Sequence, residues 1–90
     1  MTLRIETSIN GKAVTFTLSG RLDARGTVEL NRLVDDHGEE KHLIVDLTDV
    51  RLVDRSAVKF LAFCESGGIQ LENCPGYIRD WISREEQRSD

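Results

Sequence analysis

Residues 42–58 read HLIVDLTDVRLVDRSAV. The first six hold the unbroken run Leu43-Ile44-Val45, which reads as a central strand with neighbours on both sides. Residues 48–53 read as a loop carrying apolar plugs at Val50, Leu52 and Val53. Asp54 then precedes Arg55-Ser56-Ala57-Val58, where a carboxylate can accept hydrogen bonds from the free N–H groups of a new helix. Ala57, Val58, Leu61, Ala62 and either Cys64 or Glu65 give that helix one apolar side, and Gly67-Gly68 end it. A central strand that leads into a helix points to an α/β sheet.

Upstream, Leu3, Ile5, Thr7 and Ile9 alternate with Arg4, Glu6 and Ser8. Asn10-Gly11 follows, a dipeptide that tolerates the positive φ of a type I′ turn. Val14, Phe16 and Leu18 then alternate with polar residues, so two antiparallel strands are expected. After Gly20-Arg21-Leu22-Asp23 the period changes. Val28, Leu30, Leu33 and Val34 suit one side of a helix capped by Asp23 and stopped by Gly38. Gly26 weakens its first turn by about 1 kcal/mol relative to alanine.

Downstream, residues 69–72 alternate as a short strand. Asn73 or Cys74 is placed to cap a third helix, with Pro75 in its first turn. Tyr77, Ile78, Trp81 and Ile82 form its apolar stripe, and the charged residues 85–90 are expected to fray. The expected order is strand, strand, helix, strand, helix, strand, helix. Three of the four strands carry one polar face, unlike the strands of a sheet buried on both sides. The fold class is therefore α/β: a mixed four-stranded sheet, its N-terminal hairpin antiparallel and its remaining strands parallel, with helices mainly on one face.

The chain has 90 residues, enough for one domain, and its 12 Lys+Arg against 16 Asp+Glu give a formal charge of −4. That balance argues against nucleic acid as a partner. No apolar run approaches the roughly 20 residues of a membrane span, and the N-terminus does not read as a signal peptide. Cys64 and Cys74, without CxxC spacing, read as reduced thiols in a cytoplasmic protein; a Cys64–Cys74 disulfide is the alternative.

No constellation of catalytic residues stands out. His37 and His42 bracket Gly38-Glu39-Glu40-Lys41, but the spacing suits a polar loop better than a metal site. Asp46, Asp49 and Asp54 could hold Mg²⁺; turn-forming and capping roles fit better, because no glycine-rich phosphate loop accompanies them. Ser56 lies in no nucleophile elbow. Cys64 belongs to a core, whereas Cys74 near a helix start is a candidate reactive thiol. Neither a metal nor a cofactor is expected. Arg51, Arg55 and Lys59 draw attention instead. Arg55 and Lys59 are four apart and share one side of the second helix, a basic patch able to meet an acidic partner. Two edge strands and an open polar face also allow a homodimer.

Three segments in order resemble the STAS domain of anti-sigma factor antagonists and sulfate transporter tails: Gly20-Arg21-Leu22-Asp23, Leu43-Ile44-Val45-Asp46-Leu47-Thr48, and Val50-Arg51-Leu52-Val53-Asp54-Arg55-Ser56-Ala57-Val58. The family pattern is a G-x-L-D turn, an apolar strand ending in D-L-S/T, a loop and a D-S-S-G helix start. The resemblance implies a single STAS-like domain over residues 1–90, with no catalysis. It also implies a protein partner, an anti-sigma factor or related kinase, whose binding is switched by phosphorylation of the first serine after the Asp. Carried over by position, the partner surface is Asp54, Arg55, Ser56 and Ala57, with Asp23 and Asp46 nearby; with the basic patch added, the candidate partner-binding residues are Asp23, Arg51, Asp54, Arg55, Ser56 and Lys59.

The chain departs from that pattern at its centre. Arg55 occupies the phosphoacceptor position; a guanidinium is permanently positive and takes no phosphate from a serine kinase. The usual phosphoserine switch is thus expected to be lost, unless Ser56 has become the acceptor. Ala57 replaces the motif glycine. The chain also stops short of the further strand and helix that many members carry. Some stand-alone STAS proteins of similar size bind the ATP-binding-cassette ATPase of a lipid-transport complex, which gives an alternative role as an accessory subunit.

Overall fold

The computed structural model describes residues 3–37 and 42–87. β1 (Arg4–Asn10) and β2 (Ala13–Leu22) form the antiparallel hairpin. Asn10 pairs with Ala13, so the loop is Gly11-Lys12, one residue later than the Asn-Gly reading places it. Gly11 has φ 63° and Lys12 has no positive φ, the pattern of a II′ rather than a I′ turn. α1 (Ala24–His37), β3 (His42–Val53), α2 (Arg55–Ser66), β4 (Gln70–Glu72) and α3 (Gly76–Gln87) follow. The strand order is β1-β2-β3-β4, with β2–β3 and β3–β4 parallel. The expected mixed sheet with three helices is therefore the observed one. Gly38, the expected helix stop, and the end of the charged tail at residues 88–90 lie outside the described residues.

Strand alternation sorts the two faces. One row across the sheet runs Thr7, Phe16, Val45, Leu71; the next runs Glu6, Thr17, Asp46, Glu72. Val14, Phe16 and Leu18 of β2 and Leu43, Val45 and Leu47 of β3 are buried with Leu30 of α1, Leu61 of α2, and Ile78 and Ile82 of α3. The helices thus cover the apolar face; strands added in one direction through crossovers of one hand place successive helices on the same side. Of the expected apolar positions, Val28 is 71% exposed, because α1 turns Gly26 and Leu30 to the core. Gly26 lies where a Cβ would come within 2.8 Å of the Leu3 side chain and 3.2 Å of Leu22. The glycine that weakens the helix locally lets it pack close to the hairpin.

Residues 48–53 are strand, not loop. β2 continues through Gly20 to Leu22 and supplies the partner, pairing Ser19 with Asp49, Gly20 with Val50, and Leu22 with Val53. β3 carries an extra residue relative to β2 at two points, between Asp46 and Asp49 and again at Arg51. Each insertion shifts the alternation, so the apolar residues fall out of period and resemble plugs in a loop.

The third helix also starts later than expected. The Pro75 carbonyl accepts from the Arg79 N–H at 2.9 Å, so Pro75, not Asn73 or Cys74, takes the capping position. Asn73 adopts a left-handed φ of 55°, and its amide donates to Asp46 at 3.2 Å. The end of α3 does not fray where expected: the helix runs through Glu85 and Glu86 to Gln87.

Candidate functional site

β2 and β3 end side by side at Leu22 and Val53, and each gives way to a helix after one aspartate. Asp23 Oδ1 accepts from the Gly26 N–H at 3.1 Å, and its carbonyl accepts from the Thr27 N–H at 2.9 Å. Asp54 Oδ1 accepts from the Ala57 N–H at 2.8 Å, and its carbonyl from the Val58 N–H at 3.0 Å. Both are N-caps as expected. Asp54 does more. Its Oδ2 accepts from the Ala24 N–H at 3.3 Å, and its own N–H donates to the Leu22 carbonyl at 3.4 Å. One residue therefore ties the starts of α1 and α2 together.

Arg21, Arg51, Leu52, Arg55 and Ser56 are exposed around this junction. Leu52 is 53% exposed, an apolar residue between cations that the disturbed alternation hides in the sequence. Arg51 lies at the second irregularity of β3; its carbonyl accepts from the Tyr77 hydroxyl at 2.7 Å, which brings α3 to the same end of the molecule. Tyr77 is itself half-exposed, whereas its stripe partners Ile78 and Ile82 are buried. The structure thus gathers Asp23, Arg51, Asp54, Arg55 and Ser56 around one junction, with Lys59 one turn further along α2.

The basic patch is less isolated than its spacing implies. Arg55 Nε lies 3.8 Å from Glu85 of α3, and Arg21 Nε lies 3.7 Å from Asp23. Glu85 and Glu86 form one wall of a cleft of about 550 Å³ whose other residues are Arg55, Lys59, Ala62, Phe63 and Ser66. No local sequence signal connects Arg55 to an acid thirty residues away. Nearby, Glu65 accepts from both terminal nitrogens of Arg79 at 2.7 and 2.9 Å. These bonds hold its carboxyl below the ordinary range, while hydrogen bonding to Glu65 pushes Glu86 up.

The remaining candidates have structural partners. Asp46 Oδ1 accepts from the Thr48 hydroxyl at 2.6 Å and its N–H at 3.0 Å, and the hydroxyl bond leads in lowering its pKa. The His37 ring meets Phe16 edge-on at 5.5 Å, and His42 Nε2 is 3.1 Å from Gln70 Oε1. Among the described residues no three His, Cys, Asp or Glu side chains gather to hold a metal ion. Both cysteines are free. Burial pushes the Cys64 thiol up to about 12 and also raises Cys74, which is half-buried, so Cys74 is not the activated thiol its position implies. No helix among the described residues is long and apolar enough to cross a membrane.

Solved structures with this fold are recognisable at low identity. The chain is similar to the anti-sigma factor antagonist SpoIIAA in its unphosphorylated form, at 15% identity and a TM-score of 0.64 over 91% of this chain and 82% of that one. It is similar to a DUF3478-family protein with a SpoIIAA-like fold from Shewanella loihica PV-4, at 11% identity and a TM-score of 0.58, covering 91% and 74%. It also matches part of Mglu at 19% identity and a TM-score of 0.61, over 79% of this chain but only 19% of that longer one. No curated protein matches the chain. Residues 5–81 match the family described as "Mlab, STAS domain", which is most of the chain. With the three motifs in order on the SpoIIAA-like sheet, the chain belongs to the STAS domain family.

Proposed function

We propose that this chain is a non-enzymatic protein-binding module of the anti-sigma factor antagonist type. Its partner surface is the junction where β2 and β3 pass into α1 and α2. The observation that supports this reading is the double bonding of Asp54 to both helix starts. It makes the junction rigid and presents Arg51, Arg55, Ser56 and Lys59 on a fixed base. Asp23 and Asp54 act by position, their carboxylates being engaged as caps. The exposed cations fit an acidic patch on an anti-sigma factor or a related kinase, with rim charges setting encounter and specificity. Because Arg55 holds the acceptor position, binding is not relieved by phosphorylation there.

A second reading comes from the resemblance to stand-alone STAS proteins of similar size: the same surface docks on the ATP-binding-cassette ATPase of a transport complex. Either partner could be switched through Ser56, the exposed second residue of α2, where a phosphate would meet the positive end of the helix.

The test is capture of partners from the source cells with wild type, Arg55→Glu and Ser56→Ala as baits, the recovered proteins being identified by mass. An anti-sigma factor or kinase supports the first reading and a transport ATPase the second. Arg55→Glu is expected to lower recovery at least about tenfold, the equivalent of ~1.4 kcal/mol. Equal recovery by wild type and Arg55→Glu places the binding surface elsewhere. Phosphate incorporation that disappears in Ser56→Ala identifies the switch.

A further inference from the structure

The sheet ends differently on its two sides. β4 is three residues long and is followed by Asn73 at a left-handed φ of 55°, so it offers little backbone to a further strand. β1 is seven residues long and pairs with β2 without a break in register. Among the described residues no strand lies beyond it. An edge of that length, with no bulge and no proline, is a template for another strand.

The hairpin decides which groups that edge offers. Asn10 and Ala13 close a two-residue loop, so they form a hydrogen-bonded pair, and bonding to β2 alternates from there. Arg4, Glu6, Ser8 and Asn10 bond to β2, whereas the N–H and C=O groups of Ile5, Thr7 and Ile9 point outward. The side chains of those three stand on the helix-covered face, Thr7 in the row of Phe16 and Val45. Ile9 is 59% exposed there. Ile5 and Leu3 line a cleft of about 290 Å³ beside Gly26 at the start of α1.

A strand related to β1 by a two-fold axis runs antiparallel to it, and only registers that set outward-facing residues against one another join their backbone groups. An axis at Glu6 brings two like charges face to face. An axis at Ile5 or Ser8 leaves part of the strand unpaired. An axis at Thr7 pairs all seven residues: Thr7 meets its own copy, Glu6 meets Ser8, and Ile5 meets Ile9. We propose that a second copy of this chain pairs along β1 in this register, joining two four-stranded sheets into one, with Ile9 of each copy at the Leu3–Ile5 cleft of the other.

The exposed isoleucine and the cleft lie on one face of one strand, so a single two-fold operation fills both clefts; this self-match selects a second copy over an unrelated strand. The charges of β1 stay satisfied within each copy, because Arg4 and Glu6 lie on the open face and pair with each other at 3.1 Å. The contact is one strand wide, well below a standard interface, so the dimer is weak and concentration-dependent. The inference goes beyond the proposed function and does not rest on it, since β1 supplies no residue of the junction.

The experiment uses the purified chain alone. Molar mass is followed by light scattering from low micromolar to millimolar concentration, and backbone amide exchange is read residue by residue by NMR at both ends of that range. Wild type is expected to rise from one chain towards two. The Ile5, Thr7 and Ile9 amides should exchange at least about tenfold more slowly in the dimer, while Glu6 and Ser8, bonded to β2, are protected at both concentrations. Thr7→Pro removes an outward N–H that the hairpin does not use and should abolish association. Ile9→Lys, at an exposed position, should raise the midpoint at least about tenfold. Circular dichroism establishes that the variants are folded; if Thr7→Pro does not fold, Ile9→Lys and the exchange pattern decide. Wild type that stays monomeric at millimolar concentration overturns the proposal and leaves the edge to an extended segment of another protein. A dimer indifferent to Ile9→Lys, or one that leaves the exchange of Ile5, Thr7 and Ile9 unchanged, overturns it as well.

Discussion

Both ends of α2 are held by a carboxylate, but the donors differ. At the start, Asp54 accepts from backbone N–H groups, Ala57 in its own helix and Ala24 in α1. At the far end, Glu65 accepts from the guanidinium of Arg79 in α3. Backbone donors are fixed by the fold and lose no rotamer freedom when they bond. A guanidinium must be ordered at the end of a long side chain, and its attraction is screened where water reaches it. The first arrangement positions a surface; the second fastens a helix with some give.

The largest expected effect tests the rigid end. Asp54→Ala removes a cap and the link to α1 together, and should cost about 2 kcal/mol. Asp23→Ala removes a cap alone and should cost about 1 kcal/mol. Urea unfolding measures both. Equal penalties would mean that the Ala24 contact contributes nothing and that the two helix starts are independent. The double variant should fall short of the sum if the starts act as one unit, since neighbouring changes do not add.

The flexible end yields a smaller, condition-dependent effect. Arg79→Gln should cost up to about 1 kcal/mol at neutral pH and low salt, because the pair is partly exposed. Arg79 holds the folded-state pKa of Glu65 below its unfolded value, so the stabilisation is present above the unfolded value and is lost as pH falls through the folded one. Glu86 has the opposite sign. Its raised pKa makes the folded state prefer its protonated form, and that preference is lost as pH rises through the folded value. The penalty of Arg79→Gln should therefore shrink on acidification and in 1 M salt, whereas the penalty of Asp54→Ala should change little with salt. Matching salt dependence at the two ends would erase the distinction between them.

The two ends were not equally legible in the sequence. Asp54 is recognisable because a cap is local: an aspartate precedes a periodic apolar run by a few residues. Asp23 and the alternating strands are readable for the same reason, and the family motifs sit on those segments. The link from Asp54 to Ala24 spans thirty residues, and so does the pairing of Arg55 with Glu85. Only tertiary packing brings such groups together, so no periodicity announces them. The strand over residues 48–53 failed for another reason. Two irregularities break its alternation, and the break itself belongs to the candidate surface because it carries Arg51 and exposes Leu52. Cys74 shows the converse error: its place near a helix start says nothing of the burial that raises its pKa.

Asp46 provides the finest test, as a carboxylate that ends no helix. Its donors are the Thr48 N–H, the Thr48 hydroxyl and the Asn73 amide, so it combines a backbone donor with neutral side chains on the open face of the sheet. All three donors reach Oδ1, so Asp46→Asn keeps their acceptor as an amide oxygen and weakens the bonds only by removing the charge. The cost should be about 0.5 kcal/mol, a fall of roughly 2–4 °C in Tm for a domain of this size. Because hydrogen bonds from Thr48 lead in lowering the Asp46 pKa, this difference should also fade as pH drops through the folded value of the carboxyl. A penalty as large as that of Asp54→Ala would show that linking two helix starts gives a carboxylate no more weight than forming a turn. A penalty near zero, with Asp54→Ala still costly, would confine the stabilising role of these acids to the helix ends.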